Sequence, residues 1–458
     1  MQIYVIDPYQ TAEPHFPIVG MVKSYNSLLW NVQLFGLGYF EMTLPANPES
    51  VHLLEEGRMV VRESDIVNTG STIEYKNAMI IRRVAIQYNA DYGYTLHVSG
   101  KSIKDILSQR IIWEPVDYDD TSLDAVMAIL IRMNASDPVN YAANFLRIAR
   151  TEQTGAENWR NAATTQLATA EADLQQARVD YDQAVAQYGE DSPEAEAAKE
   201  FLEAAEEDVA EAEQNLADAQ AALGVADKKV NYYMQLSSVA EFRKIPYFED
   251  QSIPLTNPPE ISVQLYGENL GAWCENIATE YGLGWDIQLT ENNMYFVFVK
   301  GVDRHSTVVF SPDLDNLKNA EYVRDLSVYR NSGLAVGEGQ GIDQIRVYLD
   351  GGENERRYEE FIDTGLTKNE GTSDLVYQKM VRQAGKSVIT KLKHRESISG
   401  EIDTDGVYKI GEDFNLGDVV AVKLDQGISA TTRLIEIILA DEASGTSVTG
   451  TFEEWEVS

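Results

Sequence analysis

The sequence predicts an α+β protein: two mainly antiparallel β blocks, a mixed α/β stretch between them, and an antiparallel α-helical coiled-coil hairpin inserted in that middle. Three observations carry this. Short runs rich in Val, Ile, Tyr and Thr fill both ends of the chain. The composition changes abruptly between residues 156 and 230, where 21 Ala and 18 acidic residues stand against 5 basic ones. Apolar positions in that stretch repeat at spacings of three and four, which is a helical seam and not a strand pattern.

The first block, 1–115, contains the runs MQIYVID, SLLWNVQL, FEMTLPA, RMVVRES, AMIIRRVAIQY and GYTLHVSG. Gly, Pro, Asn and Asp separate them at the spacing of an antiparallel barrel or sandwich. KSIKDILSQRII then reads as a short amphipathic helix. Residues 116–155 and 231–325 form the α/β middle. DAVMAILIRM, YAANFLRIAR and NLGAWCENIATEYGLG have helical spacing, and GWDIQLT and MYFVFVKG read as strands.

Within 156–230 the predicted seam runs through Leu167, Leu174, Tyr181 and Tyr188, then Leu202, Val209, Leu216 and Leu223, with alanines between. The break GEDSPE supplies a helix-ending Gly189, an N-cap Ser192 and a first-turn Pro193. Two helices joined so tightly fold back on each other, each roughly 45–55 Å long over the heptad stretch at about 1.5 Å per residue. Alanine at alternate seam positions lets the backbones approach closely. Residues 326–458 form the closing β block, with one helix at 374–393 and the strands GVYKIG, DVVAVKL, TRLIEIILA and TGTFEEWEV.

Charge excludes several functions. The 458 residues carry 74 acids against 37 bases, a formal net charge of −37, of which −13 lies in the hairpin. Binding nucleic acid through many phosphates needs clustered Lys and Arg, and docking on anionic lipid needs the same. The single cysteine, Cys274, rules out an internal disulfide and a cysteine metal cage. The N-terminus lacks the basic and apolar regions of a signal peptide, and no apolar run reaches membrane-spanning length. A cytoplasmically made protein is expected.

No catalytic motif is visible. His15, His52, His97, His305 and His394 are too dispersed for a short-spaced metal site, and no H-E-x-x-H occurs. Cys274 sits in a predicted helix beside Trp273 and reads as a small buried hydrophobe. GEGQG, at Gly337–Gly341, lacks phosphate-loop spacing and lies between strands. Glu401, Asp403, Asp405, Gly406 and Glu412 fall at calcium-loop spacing. Glu at the first position, Tyr408 at the eighth and flanking strands weaken that reading, and D-T-D-G is also a hairpin turn. No cofactor, metal or catalytic residue is therefore assigned.

Four ordered groups of residues resemble the tail-hub proteins of long-tailed bacteriophages, a siphophage structural family related in fold to the central baseplate hub of contractile phages. The first is Trp30 ahead of GYFEMTLPAN. The second is the Ser-Gly-Lys-Ser stretch from Ser99 leading to Arg-Ile-Ile at Ile112. The third comprises Gly301, Asp303, Phe310, Ser311 and Asn316, and the fourth is Leu416–Val419. The resemblance implies a homotrimer at the distal end of a tail tube, in which two tail-tube-like barrel domains per chain build a pseudo-sixfold ring. It also implies contacts with a distal tail protein, a tape measure protein and receptor-binding or tip proteins. DNA would pass through the lumen without specific binding, during ejection from a virion attached to its host.

Relative to that pattern the hairpin is an insertion. On this resemblance, the hydrolase or fibre domains that follow the second β block in many relatives are not expected here. A virion structural protein is thus the leading expectation, and it is not an enzyme. A tail-tip peptidoglycan or polysaccharide hydrolase, using a carboxylate pair that the sequence does not single out, is one alternative. A host-surface binding module using the hairpin is the other.

Overall fold

The computed structural model describes residues 1–91, 93–250, 254–350, 356–369, 371–392, 395–403, 406–425, 427–443 and 445–454. His394 and Asp405 lie outside the described residues. The chain divides into two compact units, one made of 1–136 with 245–458 and the other of 137–244.

In the first unit the strands, in chain order, begin with β1 (Ile3–Ile6), β2 (Ile18–Val22), β3 (Ser27–Gln33) and β4 (Tyr39–Pro45). After the short helix α1 (Pro48–Leu53) come β5 (Met59–Arg62), β6 (Ile66–Asn68), β7 (Ile73–Tyr75), β8 (Met79–Asn89), β9 (Gly93–Ser102) and β10 (Val116–Ser122). Helix α2 (Leu123–Ile131) leads to the second unit, built from α3 (Pro138–Tyr188) and α4 (Pro193–Arg243). The first unit resumes with β11 (Glu260–Leu265), α5 (Leu270–Tyr281), β12 (Gly284–Thr290), β13 (Met294–Val299), β14 (Val309–Phe310), β15 (Leu317–Asp325), β16 (Ser332–Val336), β17 (Arg346–Leu349) and β18 (Glu359–Asp363). Helix α6 (Asp374–Lys391) precedes β19 (Arg395–Ile402), β20 (Val419–Leu424), β21 (Ile428–Glu442) and β22 (Gly445–Glu454).

The principal sheet has an open order, β15-β19-β22-β21-β3-β4-β9-β8-β5-β1-β2, with β20 beside β21 and β14 parallel to β20. Alternation in the sequence explains its buried face. In β4, Phe40, Met42 and Leu44 point inward while Tyr39, Glu41 and Pro45 are exposed, as the two-residue period of a strand requires. The leading and closing β blocks, expected from sequence as separate domains, share this sheet. The 15-residue β21 makes the connection. Its residues 428–433 pair with β20, and beyond an irregularity at Leu434/Glu436 its residues 436–442 pair with β3. One core runs beneath both, from Ile3, Trp30 and Phe40 to Phe310, Phe414 and Phe452. Residues 309–325, placed in the middle region by sequence, belong to this sheet as β14 and β15.

Smaller sheets surround it: β13-β12-β7-β6, the ribbon β10-β11, and β17-β16-β18. The predicted helix at KSIKDILSQRII is a 3-10 turn over Ile103–Gln109. Ile103, Lys104, Asp105, Ile106 and Leu107 are all buried there, so no single face is left for solvent and a regular amphipathic helix is not formed. GVYKIG forms no strand.

In the second unit each helix has 51 residues, which is about 75 Å of helix and longer than the heptad stretch alone suggested. The extension lies at the base, where Val139, Phe145, Leu146 and Ala149 of α3 pack with Val230, Tyr233, Leu236 and Ala240 of α4. Larger side chains join the seam at the base, where Ala142 and Ala149, seven residues apart, and Ala240 are also buried. The turn is closed locally. The Gly189 N–H donates to the Val185 carbonyl, and the Ser192 Oγ accepts the Ala195 N–H at 3.1 Å.

Candidate functional site

The four residue groups that carry the tail-hub resemblance fold into buried joints of the first unit. Trp30 and Phe40, on neighbouring strands, stand 5.5 Å apart between ring centroids. The Ser99–Ile112 group supplies the end of β9 and the 3-10 turn. Within that turn Lys104, only 3% exposed, donates to the carbonyls of Gln33 at 2.7 Å, Leu34 at 3.2 Å and Gly36 at 3.1 Å. Its ammonium also lies 4.9 Å from the Trp285 ring centroid, within cation–π range. The Trp285 Nε1–H donates to the Phe35 carbonyl at 2.6 Å.

The loop after β3 is thus fastened at four consecutive carbonyls. Burial pulls the Lys104 ammonium down to about 8, opposed by the Asp286 and Glu275 carboxylates. Burial in turn raises Asp286, and Lys104 opposes that shift. Sequence reading missed Lys104. Its local signal was a cation that, with Asp105, stands between the apolar residues Ile103 and Ile106–Leu107.

The third and fourth groups meet each other. Asp418, 2% exposed, accepts the Val302 N–H at 2.7 Å through Oδ1. Its Oδ2 accepts the Arg304 Nε–H at 2.8 Å and the Asn415 N–H at 2.9 Å. The backbones beside it touch so closely that a Cβ on Gly301 would lie 1.7 Å from the Gly417 oxygen. Glycine is therefore required at 301 by contact, whereas Gly417 has φ +93°, a region that disfavours side chains. Asn316 closes the neighbouring turn. Its Oδ1 accepts the Ser311 N–H and its Nδ2 donates to the Val309 carbonyl, both at 2.8 Å.

The residues considered for chemistry lie apart. The His15 ring stacks on Tyr247 at 3.7 Å, His52 is 3.9 Å from Glu55, His97 is 3.3 Å from the Thr43 hydroxyl, and His305 is 2.6 Å from Asp303. Cys274 is buried with its sulfur 3.8 Å from that of Met127, and burial pushes its thiol up. Glu401 accepts from the Asn319 amide at 3.0 Å and Asp403 lies 3.8 Å from Lys318. Those two carboxylates thus face an amide and a cation. Among the described residues no group of three or more His, Cys, Asp or Glu is placed to hold a metal ion. None of the described helices is long and apolar enough to cross a membrane.

Along the hairpin, Leu167, Leu174, Tyr181, Leu202, Val209, Leu216 and Leu223 are half-buried, while Tyr188 is 54% exposed beside the turn. Ala195, Ala205, Ala212, Ala219 and Ala226 are buried at seven-residue spacing from 205 onward.

The main run of the open sheet ends at two strands, β2 and β15, and its side branch ends at the short β14. On β2, Ile18, Val19 and Met21 are exposed at 38%, 45% and 37%. On β15, Lys318, Glu321, Arg324 and Asp325 are exposed charges, with only Ala320 and Tyr322 partly covered between them. An apolar end strand with unpaired backbone groups is a pairing surface.

The family model described as "Siphovirus ReqiPepy6 Gp37-like protein" matches residues 3–181 and 236–452. The match covers well over half of the chain, and the chain belongs to this siphovirus protein family. The unmatched stretch, 182–235, contains the hairpin turn and most of α4. No curated protein matches the chain.

In fold the chain is similar to the 43 kDa tail protein of prophage MuSo2 from Shewanella oneidensis, with a TM-score of 0.47 and 10% identity over 99% of this chain and 98% of that one. It is also similar to a tail protein from Neisseria meningitidis MC58, with a TM-score of 0.45 and 11% identity over 99% and 96%. A third similar structure is the E. coli c3393 protein, a type VI secretion component, with a TM-score of 0.38 and 7% identity over 95% and 74%.

Proposed function

We propose that this siphovirus protein is a non-enzymatic hub of the virion, a homotrimer at the distal end of the tail tube. In this reading the two β blocks are tube-like, barrel-like domains, and three copies close a pseudo-sixfold ring. The observation that carries it is the open principal sheet, whose main run ends at β2 and β15. Exposed Ile18, Val19 and Met21 stand on β2, while alternating charges on β15 limit indiscriminate pairing. Family membership supplies the siphovirus context. The distal tail protein, the tape measure protein and receptor-binding or tip proteins are the proposed neighbours. The net charge of −37 suits a lumen that repels the DNA backbone and lets the genome pass.

Light scattering coupled to size exclusion, across a range of concentrations, tests the assembly, with micrographs of tails as the second measurement. A three-chain ring is expected, and a Val19→Lys variant should lose it. A monomer at every concentration together with tails lacking a terminal ring refutes the proposal. The hairpin is read as a rigid acidic spacer. Replacing residues 160–228 by a short Gly-Ser bridge keeps the base cluster and separates the roles. Loss of adsorption with the ring intact would favour a host-contact arm instead.

A further inference from the structure

We infer that the outer half of the β8–β9 hairpin receives strand β2 of a neighbouring copy, so that copies join head to tail by strand addition. The inference rests on the assembly reading and names the two surfaces of its contact.

Strands β8 and β9 pair from Met79↔Ser102 to Asn89↔Gly93. The far edge of β9 is covered by β4 as far as Thr95. The far edge of β8 is covered only at its start. There β5 pairs with Met79 and Ile80, and Gly57 and Arg58 exchange backbone bonds with Ile81. From Arg83 to Asn89, among the described residues, no strand pairs with that edge. Strand β5 has four residues against eleven in β8, so the hairpin outruns its neighbour.

The projecting half continues the core face with nothing packed over it. Val84, Ile86 and Tyr88 stand opposite Val98, Leu96 and Tyr94, and the two-residue period puts all six on one face. Val98 and Leu96 belong to the main core. Yet Ile86, Tyr88 and Tyr94 are 54%, 63% and 61% exposed, and the two tyrosine rings lie 4.9 Å apart. An unpaired edge and an uncovered apolar face on one half-strand make a seat for a further strand.

The chain supplies a matching strand. Five-residue β2 pairs with β1 alone and exposes Ile18, Val19 and Met21, and its length fits within the open span of β8. In one copy β5 and β1 stand between β8 and β2, so the β2 that fills the seat belongs to another copy. Charge favours the same contact. Copies of net charge −37 repel each other and approach best where acids are absent. Residues 14–40, which hold β2, and 75–90, which hold β8, contain no Asp or Glu. A contact between two different strands is heterologous, the kind that closes into a ring.

Cross-linking of the full chain with a short bismaleimide tests this, since native Cys274 is buried. Val19→Cys and Tyr88→Cys, coexpressed with different tags, should give a covalent two-chain product that neither variant gives alone. The double variant should give a covalent three-chain product. Ile86→Lys, at an exposed position, should keep the parent's circular dichroism and raise the concentration at which rings form by about tenfold or more. The inference is overturned, with the assembly reading intact, if light scattering shows the ring while the coexpressed pair links no more than either variant alone. A Val19→Cys chain that links to itself, or an Ile86→Lys chain that forms rings at the parent's concentration, overturns it equally. A parent chain that stays monomeric at every concentration removes both readings.

Discussion

One substitution, glycine to alanine, should change sign between two parts of this molecule. Gly155 and Gly224 lie inside α3 and α4, and an added Cβ at either meets nothing within 4 Å. Two ties place them at nearly the same level of the hairpin. Lys229 donates to Glu152 and Gln153 to Asp227, each at 2.7 Å. Alanine at each site removes the backbone entropy penalty of a helical glycine, about 0.5–1 kcal/mol. The pair should then gain about 1–2 kcal/mol. At Gly301 the added Cβ would sit 1.7 Å from the Gly417 oxygen and 2.1 Å from its carbon. Backbone must retreat by more than an ångström, next to the three bonds of Asp418, and a loss of about 3 kcal/mol or more follows. Denaturant unfolding read by circular dichroism at the helical band reports mainly the hairpin, and in a Trp159→Phe background, which removes the hairpin's tryptophan, tryptophan emission reports the first unit, where Trp30 and Trp285 are buried. A later helical transition for Gly155→Ala/Gly224→Ala and an earlier tryptophan transition for Gly301→Ala are expected. A destabilised hairpin, or a Gly301→Ala variant as stable as the parent, would refute the reasoning.

Three further outcomes follow from particular contacts. Asp418→Ala leaves Arg304 and two backbone N–H groups without their acceptor and should cost about 3–5 kcal/mol in urea unfolding, with Asp418→Asn milder. Ser192→Ala removes the cap on the Ala195 N–H and should lower hairpin stability by about 1 kcal/mol. Burial raises the Tyr75 hydroxyl, which donates to the Phe16 carbonyl, from 10.0 to about 12. The folded state therefore holds a proton that the unfolded chain releases, so this contribution is complete below pH 10 and is lost as pH rises toward 12. Tyr75→Phe should flatten that segment of a urea-midpoint profile against pH.

The hairpin was the most legible element because its signals are local. Heptad spacing, Gly189, Ser192 and Pro193 act within a few residues of where they stand, and the helical pair follows from them. Alternation in FEMTLPA similarly announced which face of β4 is buried. The same rules misjudged KSIKDILSQRII, since Lys104 is turned inward by carbonyls 68–71 residues away in the chain and no periodicity encodes such a partner. They also passed over β2, whose exposed Ile18, Val19 and Met21 look like any short apolar run until its neighbours are known.

Sequence alone determined the composition class, the acidity, the helical hairpin, the strand-rich ends and the ordered residue groups that resemble siphophage tail hubs. Only the tertiary structure decided that the two β blocks share one sheet. That outcome depends on β21 serving β20 along one half and β3 along the other, a choice of partners made across some 400 residues. Tertiary structure also decided that Gly301 meets Gly417 while Gly155 meets nothing. The physical reason is the same in each case. Propensity and capping are properties of neighbouring residues, whereas pairing, burial of a charge and backbone contact depend on what the rest of the chain brings alongside.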